Sequence, residues 1–311
     1  MNIEILKNVP LAPQTTFKIG GEARFFVEVN NDAQIIEAVN YAQENDLAVF
    51  ILGGGSNVLI SDNGFDGLVI KIKNSQIKVD DCKIECDAGV SLMSLVNFSL
   101  ENNLVGLEWA AGIPGTVGGA IRGNAGAFGG EIKNSVGEIK ILDISKIPLK
   151  IEYLKSEECQ FGYRTSVVKE SKNIILISAK FNLEKKTDQD SRKIVAEIMA
   201  KRAQNQPNDP SAGSFFKNPI ITDTKTIEMF EHDMEVKMRG EKLPAGWFID
   251  NLGYKGKKIG GAQVSEKHAN FIINIGEASA EDVIILSSYL KQKVRDGFGV
   301  QLEEEVSQIG F

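Results

Sequence analysis

The sequence predicts an α+β chain built from more than one domain. Strand-like runs occur at 21–29, within 68–90 and within 135–183. Helical spacing of apolar residues marks 32–45, 91–103, 188–207 and 279–296. At 311 residues and 42% hydrophobic content, the chain also holds enough apolar material for two or three domains.

Each element has its own signal along the chain. "GEARFFVEV" at 21–29 reads as a strand. Residues 32–45 place Ile35, Ile36, Val39 and Ala42 on one helical face, with Asp32 as the start signal. "LAVFILGGGSNVLI" is a strand broken by three glycines and resumed, which completes a β-α-β unit. "GLVIKI", "QIKVD" and "KIECDAG" are short strands. Leu92, Leu95, Val96 and Leu100 mark the next helix. Residues 105–130 hold nine glycines, too many for a regular buried element. "SVGEIKILDI", "LKIEYL" and "NIILISAKFNL" are strands. The helix at 188–207 rests on Ile194 and Ile198 and stops at Pro207. A domain boundary falls near 185–210. Beyond it the pattern predicts a helix near 242–252, a strand at "ANFIINIG", the helix at 279–296 and a last strand, "QLEEEVSQI".

Composition narrows the function. The net charge of -7, from 35 basic and 42 acidic residues, argues against a broad nucleic-acid footprint. Three cysteines (82, 86, 159) and two histidines (232, 268) supply neither a disulfide framework nor the ligands of a zinc site. A reducing compartment is the simple reading, and no metal is expected. The N-terminus lacks a secretory pattern, and no apolar run reaches the roughly 18 residues of a membrane span. These readings predict a cytoplasmic protein without membrane or nucleic-acid partners. The lack of an exposed apolar stripe predicts a monomer.

Two glycine segments stand out: "GGGSN" at 53–57 and "GTVGGAIRGNAGAFGG" at 115–130. Successive backbone N–H groups in such runs can cradle phosphate oxygens. Gly53, Gly54, Gly55, Ser56 and Asn57, with Gly115, Thr116, Gly118, Gly119, Asn124 and Gly126, would together suit a dinucleotide pyrophosphate. Tight turns in a strand-rich domain would account for either segment alone. GxGxxG after the first strand and the GK[ST] loop are both absent, so an ordinary doubly wound nucleotide domain and P-loop hydrolysis are set aside.

Those segments, with "FGYRTS", "AGSFFKNP", "AGWFIDNLGYKGKKIGGAQVSEKHANFIIN" and "LEEEV" in this order, resemble the UDP-N-acetylenolpyruvoylglucosamine reductases over nearly the whole chain. The resemblance implies an FAD-binding fold of the vanillyl-alcohol-oxidase type in two subdomains, 1–70 and 71–200. A C-terminal α+β substrate domain would occupy 201–311. It also implies tightly bound, non-covalent FAD, NADPH as co-substrate, and reduction of the enolpyruvyl ether of UDP-N-acetylglucosamine to UDP-N-acetylmuramate for peptidoglycan synthesis. Hydride addition at the methylene carbon of that ether builds negative charge on the adjacent carbon and its carboxylate. Such a step needs a cation or donor for the charge and an acid for the carbon.

On this resemblance Ser214 is the proton donor, Arg164 holds the substrate carboxylate, and Glu305 is the carboxylate beside the reacting carbon. Strand alternation puts Glu303 and Glu305 on one face and Glu304 on the other. Tyr163, Lys217, Asn218 and Tyr254 are substrate contacts, with Lys255 a further candidate. Read without the resemblance, Ser214 would cap or bond backbone, Lys217 would be a surface lysine, and Trp109, Trp247 and His268 would be packing residues. A cis bond before Pro114 is an open possibility. The short stretch 169–173 after Arg164 resembles the subtype without an extra tyrosine-bearing loop. Closure over substrate would then come from movement of the C-terminal domain. Two other readings share part of the pattern: another FAD oxidoreductase of the same fold, and a nucleotide-sugar binding protein without catalysis.

Overall fold

The computed structural model describes residues 3–186, 190–238 and 240–311. The chain forms two compact units that interleave along the sequence. The first comprises residues up to Val9, Ala23–Gly54 and Asp66–Gln204; the second comprises Pro10–Glu22, Gly55–Phe65 and Asn205–Phe311. The glycine segment 53–57 is therefore divided: Gly53 and Gly54 belong to the first unit, Gly55, Ser56 and Asn57 to the second.

The first unit carries two larger sheets beside two short two-stranded ones. One of the larger sheets has strands in the order Leu6–Pro10, Glu22–Val29, Phe65–Ile72 and Val49–Leu52. The last two run parallel, with Val49 opposite Leu68. The helix Asp32–Glu44 buries Ile35, Ala38, Val39 and Ala42. Full burial of a branched side chain such as Ile35 contributes about 1.5–3 kcal/mol. Its N-cap is Asn31, whose side chain accepts from the Gln34 N–H; Asp32 is the first helical residue and instead pairs with Lys140. The start signal thus lies one residue earlier than the sequence reading placed it.

The second sheet of this unit is antiparallel throughout, in the order Lys150–Lys155, Val136–Asp143, Ile174–Asn182, Lys83–Asp87 and Ile77–Asp80. Alternation sends Ile84 and Cys86 inward from one strand and Ile139 and Ile141 from another. Burial pushes the Cys86 thiol well up, and lifts that of Cys159 to about 11. The helix Leu92–Glu101 is capped by Ser91. In the glycine-rich stretch a six-residue helix does form, Val117–Arg122, capped by Thr116. The helix Asp190–Asn205 turns Val195 and Ile198 inward and leaves Ile194 exposed, so the sequence reading missed its face by one position; residues 188 and 189 of that predicted helix lie outside the described residues.

The second unit holds a four-stranded sheet, in the order Ser211–Ser214, Phe271–Asn274, Ala262–Val264 and Lys258–Ile259. Helices Thr224–Met234, Ala245–Asn251 and Ala280–Phe298 accompany it. The first of these was not anticipated from sequence. The core of the unit includes Phe17, Leu59, Phe215, Phe216, Trp247, Phe248 and Leu286. Trp247 packs edge-on against Phe230 and Phe248, at 5.6 and 4.9 Å between ring centres. The long helix starts with a reciprocal cap between Ser279 and Asp282, and both Asp62 carboxylate oxygens accept from the Ala280 N–H.

The strand broken by glycines is two strands with different partners. Val49–Leu52 stays in the first unit, whereas Val58–Ile60 pairs in parallel with Ser307–Ile309 in the second. The predicted last strand is correspondingly short: it begins at Ser307, and residues 301–306 are not a strand. Among the described residues the cis peptide is Ile147–Pro148, not the bond before Pro114.

Candidate active site

In the first unit the two glycine segments meet backbone to backbone. A Cβ on Gly54 would lie 2.7 Å from the Gly115 Cα, and one on Gly53 would lie 2.7 Å from the Thr116 Oγ1. A side chain at Gly54 would drive the loops apart, whereas one at Gly53 would displace the Thr116 hydroxyl. Gly118 is closed in a similar way by Ala88, and its N–H donates to the Ala88 carbonyl. Gly119 differs: a Cβ there would meet nothing nearer than Thr116 Oγ1, at 3.8 Å. The result is two bare backbone runs in contact, with Gly119 open beside them. Among the described residues the Gly54 N–H finds no acceptor. This cradle fits a ligand that presents oxygen acceptors and needs close backbone approach, as a pyrophosphate does.

Asn124 belongs to a different layer of this unit. It is buried, its amide donates to Glu131 (3.0 Å) and to the Gly162 carbonyl (2.8 Å), and its oxygen accepts from the Lys133 N–H. Its side chain is spent on the protein. It supports the turn Gly162–Thr165, which carries Tyr163 and Arg164. Arg164 sits at φ +58°, the left-handed region that non-glycine residues enter at a cost. Three sets of bonds hold it there. Its Nη2 donates to the Gly126 carbonyl at 3.0 Å, its own carbonyl accepts from Lys169 Nζ at 2.7 Å, and the Gly162 and Thr165 backbones pair. The guanidinium carbon lies 5.4 Å from the ring centre of Tyr163, which is partly exposed. Glu131 is held below the usual carboxylate range, first by its bond to Lys133, with Asn124 and the Arg164 charge adding to it. So Gly126, Asn124 and Glu131 frame an arginine that is fixed before any ligand arrives.

In the second unit Ser214 ends the strand Ser211–Ser214, opposite Phe271, after a register irregularity at Gly213. Gly213 has φ +78°, a conformation glycine takes without strain. Asn270 fixes the two residues beyond Ser214. It is buried, its carbonyl accepts from Phe215 N–H (2.7 Å), its Oδ1 accepts from Phe216 N–H (3.0 Å), and its Nδ2 donates to the Phe216 carbonyl (2.9 Å). Both phenyl rings are buried, 5.2 Å apart and edge to face. The Ser214 hydroxyl makes no hydrogen bond among the described residues, so it neither caps nor ties backbone.

Glu305 is brought beside this segment by backbone pairing. Its N–H donates to the Phe215 carbonyl at 2.8 Å, and Lys217 N–H donates to the Glu303 carbonyl at 2.8 Å. The three acidic residues separate as alternation requires for two of them: Glu303 pairs with Lys217 (3.2 Å) and Glu304 with Lys291 (2.8 Å). Asn57, read from sequence as a cofactor residue, donates through Nδ2 to the Glu305 carbonyl at 3.2 Å, and its own carbonyl accepts from Ser307 N–H. Asn218 Oδ1 accepts from Ala245 N–H, at the start of a helix. Gly55 has φ +64°, and its carbonyl accepts from Thr16 N–H. Tyr254 lies apart from Ser214 in sequence and packs edge to face on Tyr289, at 5.5 Å. His268 packs on Phe271, and its Nδ1 accepts from the Asn270 N–H at 3.2 Å; burial lowers its pKa.

Comparison with known proteins agrees with the two-part plan. Residues 23–145 match an FAD binding domain, and residues 205–309 match the C-terminal domain of UDP-N-acetylenolpyruvoylglucosamine reductase. The enzyme of that name from Solibacter usitatus is 35% identical over 310 residues, covering 99% of this chain and 98% of its own. The chain belongs to the UDP-N-acetylenolpyruvoylglucosamine reductase family. A relative from Caldicellulosiruptor saccharolyticus is 40% identical over 314 residues, with 100% of this chain and 93% of its own covered. The crystal structure of the reductase from Thermus caldophilus superposes with a TM-score of 0.77 at 29% identity, over 99% of both chains. The α+β architecture of the family, an FAD-binding part followed by its own C-terminal domain, is therefore that of this chain.

Sequence reasoning missed Asn270 and Glu131. Asn270 could have been suspected, since an amide directly before an apolar strand must find partners once buried. Nothing in the order of residues pointed to Glu131.

Proposed function

We propose that this chain reduces UDP-N-acetylglucosamine enolpyruvate to UDP-N-acetylmuramate, with FAD as its bound cofactor and NADPH as its reductant. Residues 1–70 and 71–200 serve as flavin-binding subdomains and 201–311 as the substrate domain. The observation that carries the reading is Ser214. Its hydroxyl has no partner among the described residues, yet the backbone beyond it is locked by Asn270 and by Glu305. A hydroxyl that is fixed but uncommitted suits delivery of a proton to a reacting carbon.

FAD, when bound, supplies the hydride relay between NADPH and the enol ether. Gly53, Gly54, Gly115, Thr116, Gly118 and Gly119 would hold its pyrophosphate, with Gly55 and Ser56 extending that contact. Asn57, Asn124 and Gly126 act as supports: Asn57 for Glu305, Asn124 and Gly126 for Arg164. Arg164 pairs with the substrate carboxylate through its planar fork and stabilises the charge that builds there. Ser214 then gives its proton to the carbon adjacent to that carboxylate. Glu305 orients the hydroxyl and the substrate around it. Phe215 and Phe216 keep the carbon beside Ser214 dry, which strengthens these interactions. Tyr163, Lys217, Asn218 and Tyr254 contact the nucleotide sugar.

The test separates the half-reactions under anaerobic conditions. The flavin absorbance of the protein should bleach with NADPH and return with the enolpyruvyl nucleotide sugar. In Ser214→Ala the bleaching should keep its rate and the return should slow by about 10²–10⁴-fold. Equal loss in both halves removes Ser214 from its role. Bleaching without return in the unaltered protein would favour a different flavoenzyme. We further propose that the protein works as a cytoplasmic monomer without nucleic-acid or membrane partners. No described helix is long and apolar enough to cross a membrane.

A further inference from the structure

One histidine of the second unit stands behind the segment that carries Ser214. His268 Nδ1 accepts from the Asn270 N–H at 3.2 Å. The bond reaches two residues along the chain, so the ring acts as an Asn or Asp side chain does in a tight turn. Accepting at Nδ1 requires a neutral ring with its proton on Nε2. The ring is held in place. It packs on Phe271 at 4.8 Å between ring centres. The helix Ala245–Asn251 closes over it at Gly246, where a Cβ would lie 3.3 Å from the Asn270 nitrogen and 3.5 Å from His268 Cε1. The turn is braced as well. The Lys267 and His268 N–H groups both donate to Ser265 Oγ, and the Phe271 N–H donates to the His268 carbonyl at 2.9 Å.

The two residues that His268 touches are the two that fix the backbone around Ser214. Phe271 is the strand partner of Ser214. Asn270 holds Phe215 by its backbone and Phe216 by its side chain. A proton on Nδ1 would turn that nitrogen from acceptor to donor. It would then face the Asn270 N–H, and two donors cannot share that bond. Asn270 is buried, so an N–H stranded there is costly and its residue must shift. The charges around the ring do not hold it protonated. Asp250, from the overlying helix, pairs with Lys255 at 2.6 Å. Glu266 and Lys267 of its own turn are exposed, and the strand Phe271–Asn274 has no titratable side chain. Burial lowers the His268 pKa and the Lys255 charge adds to this, against a smaller pull from its own carbonyl and from Asp250.

We propose that neutral His268 is a positioning residue for proton delivery by Ser214, acting through Asn270 and Phe271, and that its protonation in acid releases that serine. The proposal rests on the proposed role of Ser214.

Single-turnover recovery of flavin colour with saturating enolpyruvyl nucleotide sugar tests it against pH. In the unaltered protein recovery should slow about tenfold between about pH 7.5 and 5.5, and bleaching by NADPH should not follow it. His268→Leu removes the acceptor and should recover about tenfold more slowly at both ends of that range. His268→Asn keeps an acceptor on the same side-chain carbon but does not titrate. It should rescue the rate that His268→Leu loses and abolish the slowing in acid. Normal recovery in His268→Leu, or slowing in acid that persists in His268→Asn, overturns the proposal. A second readout needs no turnover. In the FAD-loaded protein the backbone amide resonances of Phe215, Phe216 and Asn270 should shift with the titration of the His268 ring, and should stay still in His268→Asn. Resonances that do not move while the ring titrates overturn the proposal whatever the flavin does. Resonances that move, in a protein whose Ser214→Ala form recovers at full rate, keep the coupling and fail the reading of Ser214 alone.

Discussion

Asn270 shows how one side chain can fix the backbone next to the proposed proton donor. Its amide satisfies both the N–H and the carbonyl of Phe216 in a buried environment, while its backbone carbonyl takes the Phe215 N–H. Replacing it with Ala keeps the backbone bond but strands the two Phe216 groups, at about 1–3 kcal/mol for each left unsatisfied. Urea denaturation should show that loss. The anaerobic return of flavin colour should slow as well, because Ser214 loses its fixed backbone. Full stability in Asn270→Ala would mean that water replaces the amide and that the clamp is not needed. Arg164 makes a related case. Arg164→Lys keeps the charge but loses the planar fork, so recovery with the enolpyruvyl substrate should slow at least tenfold while reduction by NADPH stays unchanged. At this scale the motifs "FGYRTS" and "GSFFKNP" pointed to the turn at Arg164 and the segment at Ser214. The sequence was silent on φ +58° at Arg164, since the bonds that hold that angle come from Gly126 and Lys169.

At the scale of elements, the contact between the glycine segments makes a sharp prediction. Gly54→Ala puts a methyl carbon 2.7 Å from the Gly115 backbone, where no flexible side chain can give way. The loops must part, and the purified protein should hold less FAD per chain, measured by absorbance after gel filtration. Gly119→Ala meets open space within the protein. It should leave stability unchanged and weaken only what binds there, so unchanged flavin content in that variant would take Gly119 out of the cofactor contact. The elements themselves were legible from sequence where the period was clean. The strands of the five-stranded sheet and the helices at 32–44, 92–101 and 280–298 fall close to their predicted ranges. The helix Thr224–Met234 was not, because its run "TKTIEMFEHDM" is polar and buries only Thr226 and Phe230. The last strand was overread because "LEEEV" alternates, yet it is tied to Phe215–Lys217 by separate backbone bonds rather than by a ladder.

At the scale of each whole unit, acid should act in two windows. His268 is partly buried, and its folded pKa lies below its ordinary value of about 6.5. The unfolded chain therefore takes up a proton that the folded one refuses, and stability falls as pH drops below about 6.5 toward the folded pKa. His268→Gln should flatten the pH dependence of the urea midpoint between about 7.5 and 5.5; an unchanged slope would remove His268 as its source. At lower pH, Asp282 loses what it gains from the Ser279 and Gly261 N–H groups. Its folded pKa is depressed, so that stability is present above about 3.9 and disappears as pH falls through the folded value. The family and its two-part plan were legible in the order of the motifs. The interleaving was not, because pairing between Val58–Ile60 and Ser307–Ile309 depends on partners almost a whole chain apart.

That pairing imposes an order on biosynthesis. Val58–Ile60 leaves the ribosome early but cannot be paired until nearly the last residues have been made. At about 5–20 residues per second, the wait is roughly ten to fifty seconds. During it Leu59, buried in the finished protein, has no strand beside it. A chain stalled or truncated before Ser307 would keep that apolar edge open, and would be a substrate for chaperones rather than a smaller working enzyme.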